Sequence, residues 1–394
     1  MRFLHTSDWH VGRSFYGVSL LEDQAHVLDQ LVRLAVDAKV DAVLVAGDVY
    51  DRSAPPADAV SLLDDTLTRL VAGHGIPVVA IAGNHDSGER LDFGSRLLAA
   101  RRLHVAGTEP LVVPFEDGFG PIDVVAVPFA EPAAVAGRRG DDTIADHEAA
   151  LRADLGAEGP AAGATSARPR ASRARAVAAP GRRRIAVAHA FVSGGSTSES
   201  ERPLVMGNAA LVPASCFDGF AYAALGHLHR PQKIGRAEVR YSGSLLKYSF
   251  DEAAHRKGVS IVEVGADGAA TIEEVALAPR RDVRVLEGTL GEIRAAAARD
   301  AAPGDYVLAR LTDRAAVIDA MVRLRERWPN CLHVMAAAGR GATDEASRVH
   351  LRSHGPAELF DAFFRDVTGD EPTPAEREAF AGALEAADRA AGAA

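Results

Sequence analysis

The stretch VDAVLVAGDVYDR (residues 40–52) decides the fold class, because an apolar, β-branched run ends at Gly47 and is followed at once by the carboxylate of Asp48. Such a run reads as a buried strand, and a polar group directly after it sits at the strand's carboxyl end, where open α/β folds place their sites. The same pattern recurs along the chain. PVVAIAGNHD (77–86) delivers Asn84 and His85, RIAVAHA (184–190) delivers His189, and AYAALGHLHRP (221–231) delivers His227 and His229. At the amino terminus, RFLHTSDWHVG (2–12) leads into Asp8 and His10. Between the first strands, residues 22–39 carry Val27, Leu28, Leu31, Val32, Leu34 and Ala35 at helical spacing, residues 56–72 place Leu62, Leu63, Leu67 and Leu70 inward, and residues 89–100 predict a third helix. From about residue 104, LHVAG, PLVVPF and PIDVVAVPF read as strands of a second sheet, joined later by EVRYSGS, KGVSIVEV and AATIEEVAL. The expected architecture is α/β, a two-sheet sandwich flanked by helices.

The residue types at these strand ends point to metal chemistry. Two divalent cations held ~3.5–4 Å apart activate a water and neutralise the charge that builds on a phosphoester during in-line displacement. Carboxylate, imidazole and amide ligands together suit such cations and leave coordination positions open. A bridging ligand must offer two oxygens, which an aspartate does and a histidine does not, so Asp48 is the expected bridge. Each motif alone has a plainer reading as a turn with a surface or core histidine. Their joint occurrence in order favours the metal site. The remaining histidines, His5, His26, His74, His104, His147, His255, His333, His350 and His354, fit no motif and are read as structural or exposed.

The ordered set D-x-H-x-G, G-D-x-x-D-R, G-N-H-D, a lone strand-end histidine and G-H-x-H resembles the signature of the calcineurin-like metallophosphoesterases. More narrowly, MRFLHTSDWHVG, AGDVYD, AGNHDS and LGHLHRPQ followed by RYSGSLLKYSFDE look like the nuclease subunits of the bacterial SbcCD type, counterparts of the double-strand-break repair nucleases of archaea and eukaryotes. The resemblance is strong over roughly residues 1–280. It implies one cation on Asp8, His10, Asp48 and His229, and a second on Asp48, Asn84, His189 and His227, with manganese the first expectation and magnesium among the alternatives. It leaves His85 as a non-ligand proton donor to the leaving oxygen, a task suited to imidazole. It also matches Asp51 to a carboxylate that pairs with this histidine in many phosphoesterases, although the archaeal and eukaryotic nucleases carry a histidine there. Arg52 reads either as a phosphate contact or as a solvated loop residue.

Composition sets bounds. The 394 residues are enough for two domains, and 47% hydrophobic with 25% charged residues is an ordinary globular balance. A formal charge of −10 argues against a chain that grips nucleic acid over its whole surface, although the site's own carboxylates account for part of it. No apolar run reaches the ~18 residues of a membrane span, so no membrane partner is expected, and the first strand leads straight into ligand positions, so a cytoplasmic protein is the expectation. Cys216 and Cys331 form neither a disulfide framework nor a zinc spacing.

The catalytic domain is expected over residues 1–279, interrupted at about 156–184 by an Ala/Gly/Pro/Arg-rich insertion carrying Arg168, Arg170, Arg173, Arg175, Arg182, Arg183 and Arg184. It reads as a flexible spacer or as a basic arm for nucleic acid. The spacer is favoured, since no aromatic is interleaved to stack on bases. A small α/β capping domain is expected over 280–345 and a helical tail over 346–394, where Leu359, Phe360, Phe363, Phe364 and Val367 form an apolar stripe and Thr373-Pro374-Ala375-Glu376 a capping box. The stripe either packs on its own chain or receives a partner helix; the resemblance implies the coiled coil of an SbcC-type ABC ATPase, and a homodimer within a heterotetramer, built through helices after Asp51. The function expected is a metal-dependent DNA nuclease, exonucleolytic on duplex ends and endonucleolytic on single strands and hairpins. The alternatives are a phosphatase on the same site and a scaffold that has lost its metals.

Overall fold

The computed structural model describes residues 1–156, 183–201, 210–336, 355–368 and 370–391. Two compact units divide at Val283/Arg284. In chain order the first unit contains strand β1 (Arg2–Thr6), helix α1 (Leu21–Asp37), β2 (Ala42–Val45), α2 (Ala57–Thr68), β3 (Val78–Ile81), the short helices α3 (Gly88–Leu91) and α4 (Ser95–Ala99), and β4 (Leu103–Ala106). There follow β5 (Leu111–Asp117), β6 (Gly120–Val127), α5 (Pro132–Arg139), α6 (His147–Leu155), β7 (Arg183–His189), β8 (Tyr222–Gly226), β9 (Gln232–Ile234), β10 (Arg236–Tyr241), β11 (Gly258–Val264) and β12 (Ala270–Ala276).

Two six-stranded sheets form, in the orders β12-β11-β1-β2-β3-β4 and β9-β10-β8-β7-β6-β5. Within the first, β1 to β4 run parallel while β11 is antiparallel to β1; within the second, β6, β7, β8 and β10 run parallel. The alternation of side chains explains why the runs are apolar on both faces. Ile185, Val187, Tyr222 and Ala224 meet Phe3, Leu44, Val79 and Ile81 of the other sheet, whereas Ala186, Ala188, Ala223 and Leu225 turn outward onto Leu151 and Leu155 of α6. The two-sheet sandwich expected from the sequence is the fold observed.

Three local expectations change. The helix expected over 56–72 is α-helical only to Thr68 and ends in a wider π turn, Arg69–Gly73, with Leu63 and Leu70 buried and Leu62 and Leu67 half-buried. The helix expected over 89–100 is split, because Gly94 adopts φ +72° and leaves Phe93 exposed. Of the arginine-rich insertion, residues 157–182 lie outside the described residues, but Arg183 and Arg184 belong to β7. The Arg183 guanidinium is buried against Asp117, and Arg184 lies 4.4 Å over the Phe220 ring.

In the second unit β13 (Val283–Gly288), β14 (Tyr306–Leu311) and β15 (Cys331–Ala336) form a three-stranded sheet. Helices α7 (Leu290–Ala296) and α8 (Ala320–Arg325) bury Ile293 and Leu324 with Trp328 against it. Helix α8 begins only at Ala320, since Asp319 enters it at φ +54°. Helices α9 (Pro356–Thr368) and α10 (Pro374–Ala391) form a pair in which Phe360 stacks on Phe380 at 4.3 Å, and the Thr373/Glu376 capping box closes as expected. Phe363 remains exposed, and the side chain of Val367 lies outside those described.

Candidate metal centre

The carboxyl ends of β1, β2 and β3 in one sheet and of β7 and β8 in the other converge, and every strand-end residue singled out above arrives there. Asp8, His10, Asp48, His189, His227 and His229 are buried, with Asn84 and His85 half-buried beside them. His10 Nε2 faces His229 Nε2 at 3.0 Å, and the side chains of Asp8, His10 and His229 hold ligand atoms within 4.8 Å of one another, as do those of Asp8, Asp48 and His189. Asp48 Oδ2 lies 3.6 Å from His10 Nε2 and 3.6 Å from His189 Nε2, between the two groups. Asn84 Oδ1 stands 2.9 Å from His189 Nε2 and 3.2 Å from His227 Nδ1.

The backbone is bent to achieve this. Asp8, His10, Asp48 and His227 all adopt positive φ (52°, 46°, 49° and 112°), a conformation costly for residues with a Cβ and concentrated at functional sites. Hydrogen bonds hold it: Asp8 N–H donates to Gly47 O, His10 N–H to Asp48 O and Val11 N–H to Val49 O, which zips the first motif onto the second. Glycines let the loops approach. A Cβ on Gly83 would lie 2.2 Å from Asp48 Oδ1, and one on Gly226 would lie 1.8 Å from Ala46 O.

Burial lowers the basicity of the imidazoles, His189 to about 3 and His229 to about 4, so they stand neutral with lone pairs available. Burial, aggravated by the charge of Asp48, pushes Asp8 well above the usual carboxylate range, and burial pushes Asp48 up to about 6. Two buried carboxylates, an amide oxygen and neutral imidazoles whose ligand atoms converge are a donor set that divalent cations fit. The sign of the pH effect follows. An unfolded aspartate ionises near 3.8, so in the metal-free chain the cost of ionising Asp48 is absent below about pH 4, grows with rising pH and is complete above pH 6. Cation binding relieves that cost only where it exists. Saturating Mn2+ is expected to raise the melting temperature by roughly 5–10 °C at pH 7.5 and by less than half as much at pH 5; equal shifts at the two pH values, read by differential scanning fluorimetry, would contradict the assignment.

Several contributors have roles that the sequence does not assign. Asp86, the last residue of AGNHD, accepts from the backbone N–H groups of Val49, Tyr50 and Gly83 and so ties the Asp48 loop to the Asn84 loop. Gln24 of α1 donates to the carbonyl oxygens of Trp9 and His10 and accepts from Gly12 N–H, clamping the first motif. Asp51 behaves differently from the expectation. Its backbone carbonyl, not its carboxylate, accepts the hydrogen bond from His85 Nδ1 at 2.9 Å, while the carboxylate lies 3.6 Å from His10 Nδ1 and 3.4 Å from Arg13. The reason is the turn after the bridge, which directs the peptide oxygen toward His85. Arg52 is exposed on this loop.

The sandwich gathers two aspartates, an asparagine and histidines around Asp48, and the chain belongs to the calcineurin-like phosphoesterases, whose sequence model matches residues 1–231. A second model, described as the type 5 capsule protein repressor C-terminal domain, matches residues 279–368. Among curated proteins the chain is similar to the D subunit of the SbcCD nuclease of Staphylococcus saprophyticus, 31% identical over 379 residues that cover 95% of each chain. Solved structures with partial likeness are TT1561 of Thermus thermophilus (13% identity, 69% of this chain and 98% of that one, TM-score 0.37) and the E. coli phosphoesterase Yfce (14%, 71% and 100%, TM-score 0.27).

Proposed function

We propose that this chain is the metal-dependent nuclease subunit of an SbcCD-type complex, a cytoplasmic phosphodiesterase that cuts duplex ends, single strands and hairpins in DNA repair, recombination and replication. The observation that carries it is the Asp48-centred donor set in a chain similar over 95% of its length to an SbcCD nuclease component. Asp8, His10, Asp48 and His229 would hold one divalent cation, and Asp48, Asn84, His189 and His227 the other, with manganese the expected metal. When bound, the pair supplies charge neutralisation at the phosphodiester and an activated water. The chain's own contribution beyond the ligands is His85. The Asp51 carbonyl fixes its Nδ1–H, so Nε2 faces the site, 3.9 Å from Asp48 Oδ2, and as the imidazolium, protonated on both nitrogens, His85 would hand its Nε2 proton to the leaving oxygen and keep the Nδ1–H on Asp51.

The test is hydrolysis of a labelled DNA hairpin and of a small phosphomonoester with Mn2+. Wild type is expected to cut the hairpin, and His85→Ala to lose about 10²–10⁴-fold in rate while still binding manganese. Monoester hydrolysis without DNA cleavage, even with the ATPase partner and ATP present, would favour the phosphatase reading.

Two assemblies are part of the proposal. A homodimer is supported by an apolar groove of about 710 Å³ between α2 and the α3–α4 segment, rimmed by Val60, Leu67 and the exposed Phe93. Docking of an SbcC-type coiled coil on the α9–α10 pair is supported by the exposed Phe363 beside the Phe360/Phe380 stack. Truncation after Arg340 is expected to abolish co-purification with the ATPase and to spare metal-dependent hydrolysis; a complex that survives the truncation would contradict this.

A further inference from the structure

Among the described strand-end histidines, His229 is the one whose outward nitrogen is hydrogen-bonded into a buried ionic network; that of His10 lies 3.6 Å from the Asp51 carboxylate without a hydrogen bond. His229 Nδ1 meets Ser200 Oγ at 2.5 Å, and that hydroxyl donates its proton to Glu252 Oε1, which also receives Ser249 Oγ at 2.9 Å. Lys257 Nζ pairs with Glu252 Oε2 at 2.5 Å and turns back to donate to the carbonyl of His229 itself at 2.6 Å and to Ser244 Oγ at 2.8 Å. Ser200, Glu252 and Lys257 are all buried. The loop that carries Ser200 is pinned from both sides, by Arg13 donating to Ser200 O at 2.9 Å and by Glu201 accepting from His229 N–H at 2.6 Å.

The direction of these bonds decides a tautomer. Glu252 is ionised, since Lys257 sits on it, and an ionised carboxylate only accepts. The single Ser200 proton therefore goes to Glu252, and the hydroxyl's lone pair must take the Nδ1–H of His229. Nε2 is left without a proton, its lone pair directed toward His10, Asp8 and the bridge. The second group has a weaker arrangement: His189 Nδ1 donates to the neutral carbonyl of Ala46 at 2.9 Å.

We infer that Ser200, Glu252 and Lys257 are a positioning unit that presets His229 as a ligand and makes the cation site of Asp8, His10 and His229 the tighter of the two. The inference rests on the proposed dinuclear site and is independent of what the enzyme cuts. Outer partners of metal-bound histidines typically contribute 10–100-fold in affinity, and here His229 has a serine hydroxyl polarised by an ionised carboxylate while His189 has a peptide oxygen.

The experiment titrates Mn2+ alone into the full-length chain, followed by the electron paramagnetic resonance signal of free manganese, in two backgrounds: Asn84→Ala, which keeps the His10/His229 group, and His10→Ala, which keeps the His189/His227 group. Ser200→Ala is expected to weaken binding about 10–100-fold in the first background and less than about twofold in the second, with Ser200→Thr restoring the first, since threonine keeps the hydroxyl. Glu252→Gln should give the same selective loss; if the now unpaired Lys257 unfolds that variant, Ser200→Ala decides alone. Unchanged affinity in the Asn84→Ala background, or equal loss in both, overturns the inference. Failure of the nuclease reading would instead appear as intact manganese affinities without DNA cleavage.

Discussion

Asp48→Asn is expected to reduce phosphodiester hydrolysis by roughly 10⁴-fold or more, a loss of ~5 kcal/mol in transition-state stabilisation. The reason is that Asp48 serves both donor groups, with Oδ2 at 3.6 Å from His10 Nε2 and 3.6 Å from His189 Nε2. An amide oxygen there offers no charge to share between two cations. The shape of the loop should survive, because Asp48 Oδ1 accepts from His85 N–H and the asparagine Oδ1 can do the same. Stability should move the other way from activity. Replacing Asp48 removes the cost of burying its own charge and the smaller, Asp48-borne part of what pushes Asp8 upward, burial being the larger, so the variant in EDTA is expected to melt no lower than the parent, while its melting temperature no longer responds to Mn2+. A variant that retains more than a hundredth of the parent rate at saturating Mn2+ would remove Asp48 from the bridging position.

Gly226→Ala is expected to cost at least about 3 kcal/mol of stability, because overpacking already costs 1–3 kcal/mol where side chains can shift and here the obstacle is backbone. The new Cβ would sit 1.8 Å from Ala46 O and 2.9 Å from His189 Nδ1. Ala46 O is the acceptor that orients His189, so the same clash should also weaken the second cation group. A drop in melting temperature of roughly 6–12 °C is expected, against almost none for Gly118→Ala, whose Cβ meets nothing within 4 Å. A Gly226→Ala chain that melts within 2 °C of its parent would mean that the two sheets can separate at this point more cheaply than their packing implies.

The fold and the first layer of the site were legible for the same reason. A strand buried on both faces must be continuously apolar, and metal-ligand chemistry admits few residue types, so VLVAGD, VVAIAGN and AVAH carry both messages in one line of sequence. The layer behind was not legible. Gln24, Ser200, Glu252 and Lys257 are ordinary residues whose partners lie up to hundreds of positions away, and hydrogen-bond direction leaves no periodicity. Asp51 shows the limit at close range: its spacing from Asp48 is visible, but which of its oxygens reaches His85 depends on the turn. Gly94 was visible as a residue and still read through, because the leucines on either side of it, Leu91, Leu97 and Leu98, keep a helical rhythm across a left-handed break.

The position of β1 has a consequence for how the protein is made. The earliest of these strands to leave the ribosome sits inside its sheet, with β2 on one side and, on the other, β11, which is not synthesised until residues 258–264. The last histidine of the donor set, His229, also comes late. Pairing across so long a stretch of chain is slow to form, and a nascent polypeptide that stops short of Val264 lacks a complete β11 beside β1, the strand that leads into Asp8 and His10. Assembly of the Asp48-centred donor set is thereby tied to synthesis of the whole two-sheet unit, since both β11 and His229 come late in it.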